Sequence, residues 1–238
     1  MVPQDISTTE SETAHRFFAG TASTYDVTVH LWTLGLDRWW KRRLVDRIPP
    51  HPNRILDQAC GTGILTFRLA QMFPQCEIFG VDLHQEYLFQ AMRKAKALKV
   101  YNIQFVQGFA EEVFFKKKWD CIISSYLAKY AHTEKLVTRA RQMLRPGGVF
   151  IAHDFTYPRN VFVAHILGGY FRLMQVFGSP FFPEWKTAFF ELKGFLRQSR
   201  WVESLVDSLH RAGFTAVGVQ HFTLGISTIV HATHTRLT

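Results

Sequence analysis

Strand-like and helix-like segments alternate along most of this chain, and this alternation constrains its fold more than any other feature. Short apolar stretches typical of buried strands begin near Arg54, Glu77, Ile103, Asp120 and Val149. Segments in which apolar residues recur at helical spacing separate most of them. The pattern predicts an α/β fold with a mainly parallel, doubly wound sheet and helices on both faces.

The two ends of the chain and one internal segment depart from the alternation. Residues 1–12 are polar and are predicted to form a flexible tail, and residues 13–238 to form a single domain. Residues 158–199, which follow the fifth strand, are predicted to be a helical insertion. Two last strands, residues 215–222 and 226–234, are predicted to form a hairpin at the edge of the sheet.

The predicted insertion is rich in aromatic residues. The chain contains 22 phenylalanines, and most of the excess lies after Phe150. We expect an apolar acceptor pocket here, with an ordinary Phe-rich core as the alternative. Breaks predicted at Gly168-Gly169 and Gly178-Ser179-Pro180 would let the segment fold over the crevice as a lid. Its most apolar stretch, residues 161–177, includes His, Arg and Gln, and we expect it not to span a bilayer.

Charge and cysteine usage limit the partners. The formal net charge of +9 favours an anionic partner, such as the inner face of a membrane. No basic segment with interleaved aromatics is present, so no nucleic-acid partner is predicted.

The three cysteines have no metal-ligand spacing, and His231 and His234 would point to opposite faces of a strand, so no metal site is predicted. Reduced thiols and the absence of a signal peptide predict a cytoplasmic location.

The segment ILDQACGTGILT, residues 55–66, is shaped to hold a ligand. It is not a P-loop, because no Lys follows Gly63, and it lacks the third glycine of a dinucleotide fingerprint. Gly61 and Gly63 allow close approach of the backbone, and Asp57 can meet an ammonium group. Asp82, at the end of the second strand, can accept both hydroxyls of a ribose. An amino acid joined to a nucleoside fits these groups better than a pyrophosphate does.

These motifs together resemble the class I S-adenosylmethionine-dependent methyltransferases. The resemblance rests on D-x-x-C-G-T-G, the acid that ends the second strand, and LRPGG before the fifth strand. It implies a Rossmann-like, seven-stranded sheet with an antiparallel final strand, and S-adenosylmethionine as the cofactor. It also implies a set of cofactor-binding residues. These are Tyr25, Asp57, Ala59, Gly61, Gly63, Asp82, Leu83, Phe109, Ala110 and Ser124.

A closer resemblance is to the ubiquinone/menaquinone-biosynthesis C-methyltransferases. It is carried by FFAGTASTYD, by MLRPGGVFIAHDFTYP and by the aromatic insertion before AGFTAV. It implies that Tyr25 covers the cofactor. The chain departs from the family twice: Ala128 and Lys129 stand where the family has Arg and Asn near the acceptor. Phe109 stands where an acid or amide meets the adenine, and we expect its ring to stack on or flank the adenine.

Three residues are candidates for the proton transfer that accompanies methylation of a phenolic ring carbon. His153 and Asp154 end the fifth strand, and because strand side chains alternate, only one of them should face the crevice. Capping of the next turn is the alternative role for Asp154. His132, after the fourth strand, is the third candidate, although such a residue is commonly a surface residue.

The sequence therefore predicts a methyltransferase that acts on a small apolar acceptor. Our first choice is C-methylation of a prenylated quinol, with peripheral contact at an anionic inner membrane face. The alternatives are O-, N- or C-methylation of another lipid or apolar natural product, or a non-catalytic partner that binds S-adenosylmethionine in a biosynthetic complex. A homodimer is left open.

Overall fold

The computed structural model describes residues 6–235. Seven segments within this range are strands: β1 (Arg54–Gln58), β2 (Glu77–Asp82), β3 (Ile103–Gln107), β4 (Trp119–Ser125), β5 (Leu144–Phe155), β6 (Phe214–Phe222) and β7 (Ser227–His234). The α-helices of the same range are α1 (Ile6–Phe18), α2 (Tyr25–Trp32), α3 (Leu36–Val45), α4 (Ile64–Met72), α5 (Gln85–Leu98), α6 (Thr133–Met143), α7 (Val161–Leu173), α8 (Ser179–Phe181), α9 (Lys186–Gln198) and α10 (Trp201–Arg211).

All seven strands join one sheet in the order β3-β2-β1-β4-β5-β7-β6. The pairs from β3 to β5 are parallel, whereas β7 runs antiparallel to both β5 and β6. The predicted fold class is therefore confirmed, including the edge hairpin. The strand order reverses between β1 and β4, and an open α/β sheet binds its ligands beyond the carboxyl ends of the strands at such a point.

Apolar side chains of the sheet pack against helices on both faces. On one face, Ile122 and Phe150 lie in a cluster with residues of α6 and α10. On the other, Ile55 and Ile151 pack with residues of α3 and α4. Alternate residues of one strand therefore serve opposite cores, which is why β1 and β4 are apolar along most of their length.

The amino-terminal segment is helical from Ile6 onward. The predicted flexible tail, residues 1–12, thus overlaps the start of α1, and residues 1–5 lie outside the described residues. The last turn of α1 carries Phe17, which is 1% exposed and packs in a third cluster with the helices of the insertion. This cluster stands above the carboxyl ends of the strands, because it also includes Tyr130, which follows β4.

The predicted breaks in the insertion are wrong. The helix α7 continues through Gly168-Gly169, passes through a π-helical turn at Met174–Gly178 and joins α8 without interruption. Proline has no amide hydrogen, and in an α-helix its ring clashes with the carbonyl of the preceding turn. The wider π-helical turn lies just before Pro180, where it accommodates the proline. The chain reverses instead at Phe182, where the backbone leaves the helical region before α9 begins.

The uninterrupted helix is longer than the apolar stretch identified in the sequence, residues 161–177. Residues Val161–Phe181 form a single helix of 21 residues that is long and apolar enough to cross a membrane, by length and composition alone. Only 28% of its most apolar window is buried in the protein. The polar residues within it do not interrupt the helix, because helix formation depends on the backbone, and three polar side chains are easily placed on a helix surface.

Candidate active site

The loop between β1 and α4 takes an unusual backbone path. Ala59, Gly61 and Gly63 all have positive φ angles, of 58°, 56° and 87°. The Cys60 amide donates to the Val81 carbonyl at 2.9 Å and so fixes the loop against β2. A Cβ atom at Gly63 would lie 2.5 Å from the Phe67 ring, so a larger residue at the start of α4 would clash with this ring. The loop presents Gly61 and Ala59 to a cavity beyond the sheet.

Asp82 ends β2 beside this loop. Its carboxylate accepts hydrogen bonds from the Gly61 amide at 2.7 Å and the His84 amide at 2.9 Å. A carboxylate offers about four acceptor positions, so half of them remain for a ligand. Burial raises the pKa of Asp82 to about 6.

A cavity lies over the β1–α4 loop and the end of β2, and it unites most of the predicted cofactor residues. Six of the ten line it: Tyr25, Ala59, Gly61, Asp82, Leu83 and Phe109. We call it the cofactor cavity. The Phe109 side chain is 40% exposed and its ring is thus free to lie against a ligand. Glycine backbone, a buried acid and aromatic rings in one cavity fit the amino acid, ribose and adenine of S-adenosylmethionine.

The other four predicted cofactor residues do not line this cavity. Asp57 lies beneath the loop, where its Oδ2 accepts from the Thr66 hydroxyl at 2.7 Å and its Oδ1 is buried without a partner. The Ala110 carbonyl accepts from the Gln58 amide at 3.0 Å. The Ser124 hydroxyl is also buried without a partner among the described residues. These two oxygens without a partner lie on the neighbouring strands β1 and β4.

A pH dependence of stability follows from the buried Asp57. Burial raises its pKa to about 7, above the value of about 4 of an unfolded aspartate. In the cofactor-free protein, the folded state thus holds more protons between these values and loses stability as pH rises. Relative to the wild type, Asp57→Asn should therefore gain free energy of unfolding from pH ~4 to ~7.

Urea unfolding at several pH values measures this difference. Asp46→Asn, which changes an exposed aspartate, should follow the wild-type profile. A difference between Asp57→Asn and the wild type that stays constant with pH would contradict the raised pKa.

Residues 19–28, which we call the strap, contribute Tyr25 to the lining of the cofactor cavity. On the cofactor side, the Thr62 hydroxyl donates to Asp26 at 2.5 Å, and Lys94 forms an ion pair with Asp26. On the side of the insertion, the Thr24 hydroxyl donates to Glu184 at 2.5 Å. The strap also carries Tyr25, whose ring meets the Tyr87 ring edge to face at 5.1 Å. One short segment therefore contacts both the cofactor loop and the insertion.

A larger cavity lies beneath the insertion. Its volume is about 410 Å³, and nearly all of its surface is apolar. Side chains from α1, α2, α7 and α9 line it. We call it the apolar cavity. It shares four aromatic residues with the cofactor cavity: Phe18, Tyr25, Tyr126 and Tyr130. These four form the junction at which a molecule in one cavity would meet a molecule in the other.

None of the three predicted catalytic residues lines either cavity. His153 is fully buried between the Ser125 hydroxyl, 2.9 Å from Nδ1, and the Ser227 hydroxyl, 2.8 Å from Nε2. Burial lowers its pKa to about 3, so the ring is neutral. The His132 ring accepts from the Lys135 amide at 3.3 Å, as the cap of α6. Neither histidine lines a cavity, so neither can take a proton directly from a ligand bound there.

Asp154 is also fully buried, in contact with Lys129. The two side chains form an ion pair, and the carboxylate accepts from the Lys129 amide at 3.2 Å and the Phe155 amide at 2.7 Å. Lys129, unlike Asp154, lines the apolar cavity. Asp154 at the end of β5 is thus connected to the apolar cavity through this lysine.

Sequence reasoning missed Tyr126. It follows β4 with a positive φ of 69°, an uncommon conformation for a bulky residue. Its hydroxyl donates to Asp37 at 2.7 Å, and Asp37 is ion-paired with Lys41 inside the protein. Its position directly after a strand at the switch point was the available signal. Strained residues at such positions are common in active sites.

The chain is similar to enzymes of known reaction. The model of the ubiE/COQ5 methyltransferase family matches residues 6–235. The mitochondrial 2-methoxy-6-polyprenyl-1,4-benzoquinol methylase of Drosophila melanogaster is 27% identical over 249 residues, which cover 95% of this chain and 81% of the fly protein. The ubiquinone/menaquinone biosynthesis C-methyltransferase UbiE of Cereibacter sphaeroides (strain ATCC 17029 / ATH 2.4.9) is 26% identical over 220 residues, covering 90% and 88%.

Solved structures share the fold. A putative S-adenosyl-L-methionine-dependent methyltransferase from Methanococcus maripaludis superposes with a TM-score of 0.67 at 15% identity, covering 91% of this chain and 93% of that one. The Haemonchus contortus phosphoethanolamine N-methyltransferase 2, in complex with S-adenosyl-L-methionine, gives 0.61 at 14% identity. This chain covers 52% of that protein, and the match covers 83% of this chain. Since the family model spans every described residue, this protein belongs to the ubiE/COQ5 methyltransferase family and is an S-adenosylmethionine-dependent methyltransferase.

Proposed function

We propose that the enzyme methylates a ring carbon of a quinol that carries a long apolar tail. The observation that carries the proposal is the pair of cavities that meet at four aromatic side chains. A donor in the cofactor cavity and a ring at the junction would be adjacent, and the apolar cavity would hold the tail. The fly and Cereibacter relatives, named as quinol and quinone methyltransferases, support the same assignment.

We propose these roles for the cofactor residues. S-adenosylmethionine supplies a methyl group already activated on a sulfonium. The two free acceptor positions of Asp82 bind the ribose hydroxyls, and Phe109 lies against the adenine. The Gly61 backbone allows close approach, and Asp57 beneath the loop balances the positive charge of the donor. Tyr25 closes the cavity from the strap.

The acceptor ring and tail have separate places in this proposal. The ring lies at the junction, where Tyr126 and Tyr130 flank it. The tail lies among the side chains of α7 and α9, and its burial contributes about 25 cal/mol per Å² of apolar area removed from water. Alignment of ring carbon, methyl and sulfur is the main task left to the protein, because the donor needs no further activation.

We further propose peripheral contact with an anionic membrane. Leu34, Phe162, Ile166 and Leu224 line the apolar cavity and are nevertheless 74%, 73%, 59% and 78% exposed, so they surround its mouth. The formal charge of +9 favours an anionic surface. A tailed quinol would then pass from the lipid into the cavity without crossing water.

Transfer of labelled methyl tests the proposal. The purified protein is incubated with methyl-labelled S-adenosylmethionine and reduced demethylquinols of increasing tail length, presented in zwitterionic vesicles with and without anionic lipid. We expect label on a ring carbon, faster turnover with longer tails, and a further increase with anionic lipid. Light scattering of the purified protein, before vesicles are added, reports whether a homodimer forms.

Three other outcomes would contradict parts of the proposal. Label on oxygen or nitrogen of another lipid in a crude extract would indicate a different acceptor. Cofactor binding without transfer to any acceptor would favour the non-catalytic partner. Equal rates with and without anionic lipid would contradict the membrane contact.

A further inference from the structure

A single cationic side chain faces the apolar cavity. Among the described residues that line it, Lys129 alone carries a formal charge. It lies in a short 3-10 turn, Ala128–Tyr130, directly after β4, and is only 3% exposed. Such an ammonium group is costly to bury unless it is paired with an anion, and the pairing must leave it free to face the cavity if it is to bind a ligand.

Lys129 is held in a fixed place next to the junction. Its ammonium lies 4.3 Å from the centre of the Tyr130 ring and 5.5 Å from that of Tyr126, and both tyrosines belong to the junction. Asp154 anchors it through their ion pair, and two backbone amides hold that carboxylate in turn. An ammonium has three donor hydrogens, and the ion pair with Asp154 leaves donors for a ligand.

We propose that the Lys129 ammonium binds the phenolate oxygen of the acceptor and stabilises it during methyl transfer, with Asp154 as its positioning residue. The inference rests on the proposed function. The phenol gives up its proton to water, and the ring carbon beside the phenolate forms a bond to the methyl carbon while the carbon–sulfur bond breaks. The electron pair of that bond stays on sulfur, and the ring carbon then loses its proton to water, which restores the aromatic ring.

The surrounding groups favour this role. Burial lowers the pKa of Lys129 and raises that of Asp154, and the attraction between the two side chains opposes both effects. Burial raises the pKa of Tyr126 and Tyr130, which stay protonated. His153 is neutral, because burial lowers its pKa to about 3. The other charges nearby, Asp37 and Lys41 behind Tyr126, are already paired with each other.

A phenol whose ionisation is visible tests the inference without methyl transfer. The probe is para-nitrophenol with an alkyl tail, and its phenolate absorbance is titrated against pH in the presence of the protein. An apolar cavity alone would raise the pKa of the bound probe. We expect the wild type to ionise it at or below the pH at which the free probe ionises. An upward shift in the wild type would overturn the proposal.

The double variant Lys129→Met/Asp154→Asn removes both charges and so leaves no unpaired ion in the core. The bound probe should ionise about one unit or more higher in pH than in the wild type. Lys129→Arg, which keeps the charge, should stay near the wild type. The matched control is Lys41→Met/Asp37→Asn, which removes a buried ion pair that does not line the cavities and should shift the probe far less.

Turnover separates this inference from the proposed function. With quinol acceptors, kcat of the Lys129→Met/Asp154→Asn variant should fall about tenfold or more at neutral pH and recover as pH rises, while KM for the cofactor stays unchanged. Quinol methylation with equal probe titration in wild type and variant would overturn the inference alone. A low probe pKa in the wild type without methylation of any quinol would overturn only the proposed function.

Discussion

Replacement of Asp82 by alanine is expected to weaken S-adenosylmethionine binding by about 2–4 kcal/mol, roughly 30- to 1,000-fold in Kd. The carboxylate lines the cofactor cavity and already holds the Gly61 and His84 amides. Its loss would remove the two charge-assisted bonds that we propose to the ribose, and also the hydrogen bond that holds Gly61 of the loop. Titration calorimetry at neutral pH, above the pKa of about 6, measures the effect.

Asp120 provides a matched control for this variant. It is also a buried aspartate that holds two backbone amides, those of Asn53 and Arg54, both at 2.7 Å. It lies near the start of β4, at the opposite end of the sheet. Asp120→Ala should therefore lower the free energy of unfolding and leave cofactor affinity nearly unchanged. If Asp82→Ala binds the cofactor as well as the wild type does, the ribose assignment is wrong.

Ala188→Phe is expected to lower kcat/KM for tailed acceptors by about tenfold or more and to leave short acceptors nearly unaffected. Ala188 is a buried residue of α9 that lines the apolar cavity. A phenyl ring there would take the place of part of the tail, and each methylene that loses its burial costs about 0.8 kcal/mol. Steady-state rates with acceptors that share one ring and differ in tail length measure the effect.

Ala164→Phe makes the same change on α7, at a half-buried position outside the apolar cavity. This variant should leave kcat/KM nearly unchanged for tailed and untailed acceptors. Cofactor affinity, measured by calorimetry for both variants, controls for indirect effects. A loss in Ala188→Phe that is equal for tailed and untailed acceptors would mean that α9 belongs to ordinary core, and the tail would need another place.

The sheet and the cofactor loop could be predicted because their signals are local. Each strand is a short apolar run, and the glycines and acids of the loop lie within a few residues of strand ends. The path of the chain through the insertion could not be predicted in this way. Glycine costs only about 1 kcal/mol in a helix, and tertiary packing outweighs it. At Gly168 a Cβ atom would lie 3.1 Å from the Lys193 ammonium of α9, so the small residue favours packing rather than a break.

The polar groups of the site were harder to predict because their partners are distant in sequence. Tyr126 and Asp37 are 89 residues apart, and Lys129 and Asp154 are 25 apart. The alternation of strand side chains predicted that only one of His153 and Asp154 would face the crevice. Both are instead enclosed by polar partners: His153 lies between the Ser125 and Ser227 hydroxyls, and Asp154 is paired with Lys129.

The strap is hydrogen-bonded on both of its sides. Asp26 accepts from Thr62 of the cofactor loop and Thr24 donates to Glu184 of the insertion, so a ligand that moved this segment would act on both sets of contacts. Whatever free energy of coupling results is reciprocal: the donor must change the affinity of the acceptor by the same factor as the acceptor changes that of the donor.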